Sequence, residues 1–458
     1  MTRKKTKEKN NITDEFIDYL FNLNKSFFSD DIIFQAKKCL LDYLGATLAG
    51  AKILDKKGGL ILESLNHGDG EVKIIGSKKR GTILTSALVN GINAHVAEVD
   101  DGIRFASFHP GAPIISALLS VAEKEKLSGR DFLRGIIVGY EASIKLATSI
   151  YPFHRARGYH TTGTCGVIGS AIGVATALNL SKKQFKDSFS TAIGASSGLL
   201  KVFEDASELK PFNVGQAALS GLVAVFSAKA GFNGPNDVLS GENGFIKIMA
   251  GKCNLDYLTR KKNNYLEIEK IYFKPYFSCR LGHSAIEAVL NLKLKEKIKV
   301  ENIEKIKIKI YQLAIDNHDH VDILNVSSAK MSIPYSVAVA LIFGKVGINE
   351  FSSLTIKDKR VLALLKKIKI QPDKKLDKFL PQKRPTIVEI ITKDKKVYSE
   401  RVDLPKGEPE KPLQKEELEA KFSSLAIFSG KKREEISKII LNVWNLEKNN
   451  MDKIIKLL

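Results

Sequence analysis

The segment DDIIFQAKKCLLDYLGATLAGA, residues 30–51, decides the fold class. It opens with two acidic residues suited to a helix N-terminus and then repeats apolar residues every three or four positions, as an amphipathic helix does. Similar stretches follow up to about residue 251, rich in Ala, Gly and Ser and often apolar on more than one face. The sequence therefore predicts a large helical domain in which some helices are entirely buried.

The apolar pattern changes near Leu266, where residues with a strand preference replace the helical spacing. Ile and Lys alternate in IEKIKIKIYQL, residues 303–313, and residues 386–402 have the form of a hairpin. The segment EIEKIYFKPYF, residues 267–277, also predicts a strand. Helical periodicity continues at residues 283–294, 332–344 and 358–368, and it returns after a Pro- and Lys-rich linker at residues 404–414.

These changes predict a mainly α protein built from two domains. A large all-helical domain takes residues 1–265, a smaller α+β lid domain takes residues 266–403, and C-terminal helices over residues 404–458 return to the helical domain. A chain of 458 residues with 44% hydrophobic content can bury cores of that size.

No stretch approaches the roughly 18 apolar residues of a membrane span, and no apolar segment follows the basic start MTRKKTKEKNN. The composition therefore predicts a cytoplasmic protein without a membrane partner. The four cysteines lie far apart with no CxxC spacing, so neither disulfides nor a metal cluster is predicted. They are Cys39, Cys165, Cys253 and Cys279.

The formal charge of +21 permits nucleic-acid binding or a field that attracts anionic substrates. Lysine pairs are scattered along the whole chain, without a compact Arg-rich stripe that alternates with aromatic residues. This distribution favours a small anionic substrate and no nucleic-acid partner. The pairs include residues 56–57, 182–183, 261–262 and 431–432.

The glycine-rich segment GTCGVIGSAIG, residues 163–173, is superficially similar to a phosphate-binding loop. No strand precedes it, and its glycines recur about every three residues within a helical pattern. Tight helix packing explains the segment better, so no dinucleotide cofactor is predicted.

Acids, histidines and an arginine crowd into NAHVAEVDDGIRFASFHPGAP, residues 93–113. An apolar helix runs into this segment and ends by Gly102, so the charged groups lie where a loop can close over a small molecule. A solvated helix end capped by an Asp pair is the alternative. The charged residues are Glu98, Asp100, Asp101, Arg104 and His109.

Two further segments place cations just before a helix, where free N–H groups favour anions. The loop FHRARGYH carries His154, Arg155, Arg157 and His160, and it forms either an anion pocket or an exposed basic loop. Lys210 precedes Pro211 and a new helix, so it can hold a carboxylate or lie in solvent.

Arg280 and His283 lie three residues apart at a strand-to-helix junction, where they suit carboxylate binding and acid–base chemistry. Cys279 beside them is a weakly supported nucleophile, because single cysteines are mostly buried small hydrophobes. His318 and His320 in IDNHDHVDI have no further ligands at a familiar spacing, which favours a polar loop over a metal site.

Together these segments resemble the MmgE/PrpD family, which includes 2-methylcitrate dehydratase, cis-aconitate decarboxylase and iminodisuccinate epimerase. The resemblance spans nearly the whole chain and rests on the order and spacing of several motifs. They are AKKCLLDYLGATLAG, NAHVAEVDDG with FHPGAP, GYHTTGTCGVIGSA, LKPFNVGQAA with GFNGPNDVLSGENGF, KPYFSCRLGH and GEPEKPLQKEELEAKF.

The resemblance implies a helical domain formed from both ends of the chain, an inserted α+β lid, a homodimer and a cleft without metal or organic cofactor. It implies catalytic roles for Asp100, His109, His160, Lys210 and His283. Substrate contacts are predicted for Asp101, Arg104, Arg280 and, from the weaker match SIPYSVA, Tyr335.

The sequence departs from the family pattern at two positions. Glu98 stands where the decarboxylases have an aspartate, and Gly102 stands where many members have a threonine after the paired acids. Both changes weigh against decarboxylation, and Arg104 is expected to supply a substrate contact in place of the threonine.

The predicted function is a cofactor-independent lyase, a dehydratase of a small di- or tricarboxylate similar to 2-methylcitrate. Proton removal next to a carboxylate builds up enolate-like charge, which His, Lys and Arg side chains in a water-poor cleft stabilise. Which histidine is the base stays open. The alternatives are an epimerase, isomerase or decarboxylase of the same family, and a non-catalytic anion or nucleic-acid binder that uses the +21 charge.

Overall fold

The computed structural model describes residues 11–65, 70–204, 207–259 and 265–458. The basic start of the chain and the lysine pair at residues 261–262 lie outside these ranges. Helices dominate the described residues, and a small mixed sheet belongs to the second half of the chain. The predicted mainly α fold with a smaller α+β part is confirmed.

The chain up to residue 259 contains eleven α-helices in the described ranges and one short strand pair. The helices are α1 (Ile12–Asn24), α2 (Asp30–Leu54), α3 (Lys56–Leu65), α4 (Ile83–Val96), α5 (Gly111–Ala122), α6 (Gly129–Ile150), α7 (Phe153–Ala156), α8 (Thr161–Ala177), α9 (Lys182–Gly194), α10 (Lys210–Lys229) and α11 (Leu255–Thr259). The strands are β1 (Val72–Lys73) and β2 (Arg80–Gly81), which pair antiparallel.

Side-chain caps fix where several of these helices begin. The Thr82 hydroxyl accepts from the backbone N–H of Thr85 at the start of α4, and Ser128 caps α6 in the same way. Ser181 and Gln184 form a reciprocal capping box at the start of α9. Each cap satisfies a backbone N–H that the helix itself leaves free.

The helices α6 and α8 pack at backbone contact through glycines, as predicted for residues 163–173. A Cβ placed on Gly139 would lie 2.7 Å from the carbonyl oxygen of Gly169, and one on Gly135 would lie 2.8 Å from that of Gly173. Only glycine permits this approach. The close packing fixes α8, and with it the residues at the start of α8.

The remaining elements build the α+β part and the C-terminal helices. In chain order they are α12 (His283–Lys295), β3 (Ile303–Ile310), α13 (Val326–Met331), α14 (Ile333–Phe343), α15 (Lys359–Leu365), β4 (Ile368–Pro372), α16 (Lys374–Asp377), β5 (Thr386–Thr392), β6 (Val397–Val402), α17 (Lys415–Phe428), α18 (Arg433–Trp444) and α19 (Asp452–Ile455).

The four-stranded sheet has the order β4-β3-β5-β6, with β3 parallel to β4 and antiparallel to β5. The alternation of Ile and Lys in β3 places Ile306, Ile308 and Ile310 in the core, while the lysines between them stay partly exposed. α12 packs on β5 and β6, and α14 packs on α12. Period-two alternation produces this half-buried sheet.

Two predictions for the second half of the chain are wrong. Residues 267–277 form no strand, because Glu267–Lys270 make a 3₁₀ turn and Tyr272 makes only an isolated bridge with Gly102. Ile268, Ile271 and Phe273 pack into the core of the helices instead of a sheet. The stretch that reads as one helix at residues 358–368 ends at Leu365, and the following residues form strand β4.

The hydrophobic cores show how the chain passes between its two parts. Phe273 belongs to the core of the helices, and Phe277 belongs to the core of the sheet. α17 returns to the helices and lies along α2, where a Cβ on Gly45 would lie only 3.3 Å from the Phe422 side chain, so glycine allows the close approach. The helical core is therefore assembled from both ends of the described chain.

The segment at residues 404–414, predicted from the sequence as a Pro- and Lys-rich linker, is held firmly against the rest of the protein. Glu408 within it has a relative exposure of 0% and accepts hydrogen bonds from two arginines. Gly407 takes a φ of 95°, which allows its N–H to bond to Lys411 and turns the chain inward. An apolar environment tolerates the Glu408 carboxylate because it is paired.

Among the helices in the described ranges, α10 alone combines the length and apolar character of a membrane span. More than half of that stretch is buried, and Val214, Leu222 and Val225 belong to the helical core. The apolar face of α10 is accounted for by packing against α4, α8 and α9.

Candidate active site

A small cavity of about 60 Å³ lies where the helices meet the α+β part. That volume holds only a few water molecules, at roughly 30 Å³ each. A second cavity of about 840 Å³ shares three of its lining residues, so a route for a substrate adjoins the small one. The shared residues are Glu98, Phe203 and Lys210; the rest of the small cavity is lined by Ser107, His109, Arg155, His160, Tyr272, Lys274, Cys279, Arg280, Leu281, Leu313, His318 and Arg384.

Of the nine residues predicted for the site, four line this cavity: His109, His160, Lys210 and Arg280. They come from separate regions of the chain, and folding brings them together between the two parts. The other five, Asp100, Asp101, Arg104, His283 and Tyr335, lie behind the cavity wall or away from it.

The charge of the cavity is strongly positive. Five of its lining side chains are Lys or Arg, and Glu98 supplies the single carboxylate among them. Low-dielectric walls strengthen the field of such a cluster. The cavity therefore favours an anion, and a molecule with several carboxylates would also need space in the adjoining larger cavity.

His109 has the geometry of a neutral base. Its Nδ1–H donates to the carbonyl oxygen of Asp101 at 2.6 Å, so the lone pair resides on Nε2. Burial, together with the positive charge of Lys274, holds the pKa of His109 well below its usual range. An imidazole that stays neutral in a cavity can accept a proton from a bound substrate.

Asp100 lies directly behind His109. Its Oδ2 accepts from Nδ1 of His95 at 2.7 Å and stands 3.5 Å from Nδ1 of His109, while Oδ1 lies 3.6 Å from Nζ of Lys274. Burial alone would raise the pKa of Asp100, but His95, which hydrogen-bonds to it, and the charge of Lys274 lower it below its usual range. Asp100 thus orients His109 instead of touching a substrate.

Asp101 points away from the cavity into the helical core. Its carboxylate accepts from the Tyr140 hydroxyl at 2.7 Å and from the backbone N–H of Gly111 at 3.0 Å. Burial, reinforced by the charges of Asp42 and Asp100, raises the pKa of Asp101 to about 8. The predicted substrate contact is absent because the side chain anchors the start of α5.

Lys210 and Lys274 share Glu98 in the cavity wall. Lys210 forms an ion pair with Oε1 of Glu98, and Nζ of Lys274 lies 3.5 Å from Oε2 and 3.1 Å from the backbone oxygen of Glu98. Glu98 itself adopts a φ of 57°, which costs a side chain on the order of 1 kcal/mol. The two ion pairs hold the strained residue in place.

His160 stands at the N-terminus of α8, immediately before the glycine-packed stretch. The side-chain amide of Asn213 donates to its Nδ1 at 3.2 Å, which leaves the ring proton on Nε2. Burial and the nearby His95 and Lys210 hold the pKa of His160 well below its usual range. His160 is therefore a neutral hydrogen-bond donor.

Within the same basic loop, Arg155 lines the cavity, whereas His154 is buried against Thr164 at 3.1 Å and Arg157 is exposed. The structure thus supports an anion pocket at this loop for Arg155 and His160 only.

Arg280 is fully engaged although it lines the cavity. Its guanidinium donates to Glu408 at 2.8 Å, to the backbone oxygen of Lys406 at 3.0 Å and to Nδ1 of His283 at 2.9 Å. His283 in turn donates from Nε2 to the backbone oxygen of Ser278 at 3.2 Å and has no exposed surface. His283 therefore positions Arg280 instead of lining the cavity as predicted.

The predicted substrate contact of Arg104 is replaced by ion pairs. Its Nη1 donates to Glu408 at 2.7 Å and to Glu410 at 2.8 Å. Tyr335 lies farther away in the core of the sheet, where its hydroxyl donates to the backbone oxygen of Glu350 at 3.3 Å. Neither side chain lines the cavity.

One group of side chains in the described ranges could hold a metal ion, namely His95, Asp100 and His109, whose ligand atoms lie within 4.8 Å of one another. Nδ1 of each histidine carries a proton, because each faces an oxygen acceptor. A divalent cation would displace both protons and stand beside the Lys274 ammonium. The donor set fits hydrogen bonding better than metal binding.

Sequence reasoning missed Lys274, His318 and Arg384, all of which line the cavity. Lys274 had a usable signal, since it precedes a proline just as Lys210 does. His318 was assigned to a polar loop, and only the fold shows that this loop reaches Cys279. Nothing in the sequence around Arg384 distinguishes it from the other basic residues.

Known proteins match this chain over most of its length. The model of the MmgE/PrpD N-terminal domain matches residues 14–258, and that of the MmgE/PrpD C-terminal domain matches residues 276–446. Cis-aconitate decarboxylase of Mus musculus is 25% identical over 442 residues, covering 91% of this chain and 86% of that protein.

Two further cis-aconitate decarboxylases show the same extent of similarity. That of Homo sapiens is 24% identical over 472 residues, covering 95% of this chain and 92% of its own. That of Aspergillus terreus is 22% identical over 441 residues, covering 91% and 90%. The N-terminal and C-terminal domain models of one family thus match in order along the chain, which has a cationic cavity between its two parts. The chain belongs to the MmgE/PrpD family.

Proposed function

We propose that this protein is a cofactor-independent lyase that eliminates water from a small di- or tricarboxylate. The observation that carries the proposal is His109, a buried imidazole kept neutral with its lone pair on Nε2 in a cavity dominated by cations. A neutral base beside cations is what proton removal next to a carboxylate requires.

The residues of the cavity divide the reaction between them. His109 takes the proton from the carbon next to a carboxylate, and the electrons of the C–H bond move toward that carboxylate as enolate-like charge. The cationic side chains Arg155 and Lys274 stabilise this charge electrostatically. Asp100, between His95 and His109, then favours the imidazolium that His109 becomes.

The departing oxygen needs a hydrogen-bond donor and a proton. His160 carries its proton on Nε2 and can donate to that oxygen as negative charge builds up. Lys210 lines both cavities, so its ammonium can donate a proton to the departing hydroxide, which then leaves as water. The products are an unsaturated carboxylate and water, and the proton on His109 returns to Lys210 through solvent.

Decarboxylation is the second candidate reaction, and the similarity of the chain to cis-aconitate decarboxylases favours it. Loss of carbon dioxide from a carboxylate also leaves a carbanion, which the same cations would stabilise. It needs a proton donor to the carbanion but no base, so the lowered pKa of His109 would have no use in it.

The test is NMR of the purified protein in deuterated water with 2-methylcitrate, citrate and cis-aconitate supplied separately. An unsaturated product from a hydroxy acid supports dehydration, and carbon dioxide from cis-aconitate supports decarboxylation instead. Deuterium incorporation without a new product indicates an epimerase. No turnover by folded protein, with salt-sensitive binding to arbitrary DNA, would overturn the enzyme proposal.

A variant pair links the activity to the cavity. His109→Asn should lower turnover by about 10²–10⁴-fold, the usual contribution of a general base. Tyr335→Phe is the matched control, because its hydroxyl contacts only the backbone of Glu350 within the sheet core, and it should keep full turnover. Equal activity of the two variants would remove His109 from the mechanism.

A further inference from the structure

Cys279 and His318 form a pair at the edge of the cavity. Sγ of Cys279 lies 3.3 Å from Nε2 of His318, and both residues contribute to the cavity lining. Cys279 is partly exposed, whereas His318 is buried behind it at 4% exposure. The proposed lyase chemistry uses neither side chain.

The backbone holds the pair rigidly. The N–H of Cys279 donates to the carbonyl oxygen of Lys330 at 2.9 Å. The backbone oxygen of His318 accepts from the N–H of Ile333 at 2.8 Å. Two separate anchors thus fix the sulfur and the imidazole relative to each other.

The orientation of His318 favours its protonated form. Nδ1–H donates to the backbone oxygen of Asp316 at 2.5 Å, so Nε2 is directed at the sulfur. When a proton moves from sulfur to Nε2, both ring nitrogens of the imidazolium have acceptors, and the thiolate receives a charge-assisted hydrogen bond. This is the arrangement that activates a cysteine nucleophile.

The other cysteines provide a contrast within the same chain. Burial would raise the pKa of the Cys279 thiol, but the charge and hydrogen bond of His318 lower it to about 6. Burial raises the pKa of Cys39, Cys165 and Cys253, none of which has a histidine beside its sulfur. The pKa of His318 is raised in turn by the Cys279 thiolate against the effect of burial.

We propose that the Cys279–His318 pair is a covalent attachment site for small anionic electrophiles, above all α,β-unsaturated carboxylates. The Lys and Arg side chains around the cavity concentrate such anions beside the sulfur. The site requires the pair and this charge, so it stands whether or not the proposed lyase reaction is correct.

The bond changes in the attachment are balanced. The Cys279 thiolate adds its electron pair to the β-carbon, an S–C bond forms, and the electrons of the C=C π bond move to the α-carbon. The imidazolium of His318 donates its proton there, so nothing is oxidised or reduced. Removal of that proton by the neutral imidazole reverses the addition and releases the carboxylate.

Alkylation with iodoacetate and iodoacetamide at pH 6.5 tests the site, with the modified peptides quantified by mass spectrometry. We expect iodoacetate to modify Cys279 faster than iodoacetamide does, because the cavity attracts the anion. Cys253 is the internal control, since it is also partly exposed but contacts Ser149 instead of a histidine. A Cys279 that reacts no faster than Cys253, or that prefers iodoacetamide, overturns the proposal.

His318→Gln tests the role of the imidazole. A thiol pKa that rises from about 6 to about 8.5 lowers the thiolate fraction by on the order of 100-fold, and the greater nucleophilicity of the more basic thiolate recovers about tenfold. Labelling of Cys279 at pH 6.5 should therefore fall about tenfold, with Cys253 unchanged. An unchanged rate at Cys279 in a variant with wild-type circular dichroism contradicts the pair.

Incubation with cis-aconitate tests the natural class of electrophile. The expected result is one added molecule per chain by intact mass, located on Cys279, lost after dilution and absent in Cys279→Ser. No adduct on Cys279 at saturating cis-aconitate, despite rapid alkylation by iodoacetate, would restrict the site to strong electrophiles and refute the assignment to unsaturated carboxylates. Neither readout depends on turnover.

Discussion

Glu408→Gln should destabilise the fold by about 3–5 kcal/mol, because Glu408 is the buried anion between two buried arginines. Oε1 accepts from Nε and Nη2 of Arg280 at 3.2 and 2.8 Å, and Oε2 accepts from Nη1 of Arg104 at 2.7 Å. Each hydrogen bond to a charged group contributes about 1.5–3 kcal/mol. Glutamine keeps one acceptor oxygen but lacks the negative charge that pairs with the buried guanidinium groups of Arg104 and Arg280.

Glu410→Gln is the matched control, since Glu410 also binds Arg104 but has 49% of its side chain exposed. An ion pair at that exposure contributes about 0–1 kcal/mol. Both variants change the same functional group at a partner of Arg104, so the difference between them measures the effect of burial together with the additional contact of Glu408 to Arg280.

Urea unfolding followed by circular dichroism measures both variants against the parent protein. The expected order is a large loss for Glu408→Gln and a loss near zero for Glu410→Gln. Equal losses, or a loss below about 1 kcal/mol for Glu408→Gln, would show that the two arginines do not depend on this carboxylate.

Three further predictions follow from the cavity and its surroundings. Lys210→Ala should lower turnover by about 100-fold or more while far-UV circular dichroism shows that the helices remain, because Glu98 keeps its ion pair with Lys274. Full activity would remove Lys210 from the site. The pKa of Asp101, about 8 when folded, means that the folded state retains a proton that the unfolded state loses near pH 4. The free energy of unfolding therefore falls as pH rises from about 4 to 8, by about 1.4 kcal/mol per pH unit for this one group. Between pH 5 and 8, the stability of Asp101→Asn relative to the parent protein should rise by about 2–4 kcal/mol. Urea unfolding measures this difference in stability, and a difference that does not change with pH contradicts the prediction. Treatment with EDTA should leave turnover unchanged, whereas stoichiometric zinc or iron with loss of activity on chelation would disprove the cofactor-free mechanism.

Most of the fold could be predicted from the periodicity of the apolar residues. The spacing in α2 and the Ile–Lys alternation in β3 each correspond to one buried face, so sequence and structure agree there. The strand expected at residues 267–277 is absent because its apolar residues pack into the core of the helices instead of pairing with a neighbouring strand. A local pattern of apolar residues does not show which neighbouring element will cover them in the fold.

The cavity was harder to predict than the fold, because its residues are far apart in the sequence. His109, His160 and Lys210 stand beside helix ends that are recognisable in the sequence, and the structure brings the three together at the cavity. His318 and Glu408 lay in segments whose composition is that of solvated loops. Their importance comes from partners in other segments, Cys279 for one and Arg280 for the other.

Lys274 shows the same limit, because its place in the site depends on partners from other segments of the chain. Lys274 is buried, and apart from the proline that follows it, nothing in its local sequence marks it among the 72 Lys and Arg residues of the chain. Its burial is tolerated because Glu98 and Asp100 both lie within 3.6 Å of its ammonium. Those distances depend on the fold, and no pattern along the chain encodes them.

The packing of α17 along α2 sets the order in which a newly made chain can finish folding. At a synthesis rate of about 5–20 residues per second, the roughly 360 residues between the end of α2 and the start of α17 take about 20–70 s to emerge from the ribosome. The sheet and its helices, contiguous in sequence, can close before that time. The apolar face of α2 that receives Phe422 has no α17 to cover it during that time, so this face can promote aggregation before folding is complete.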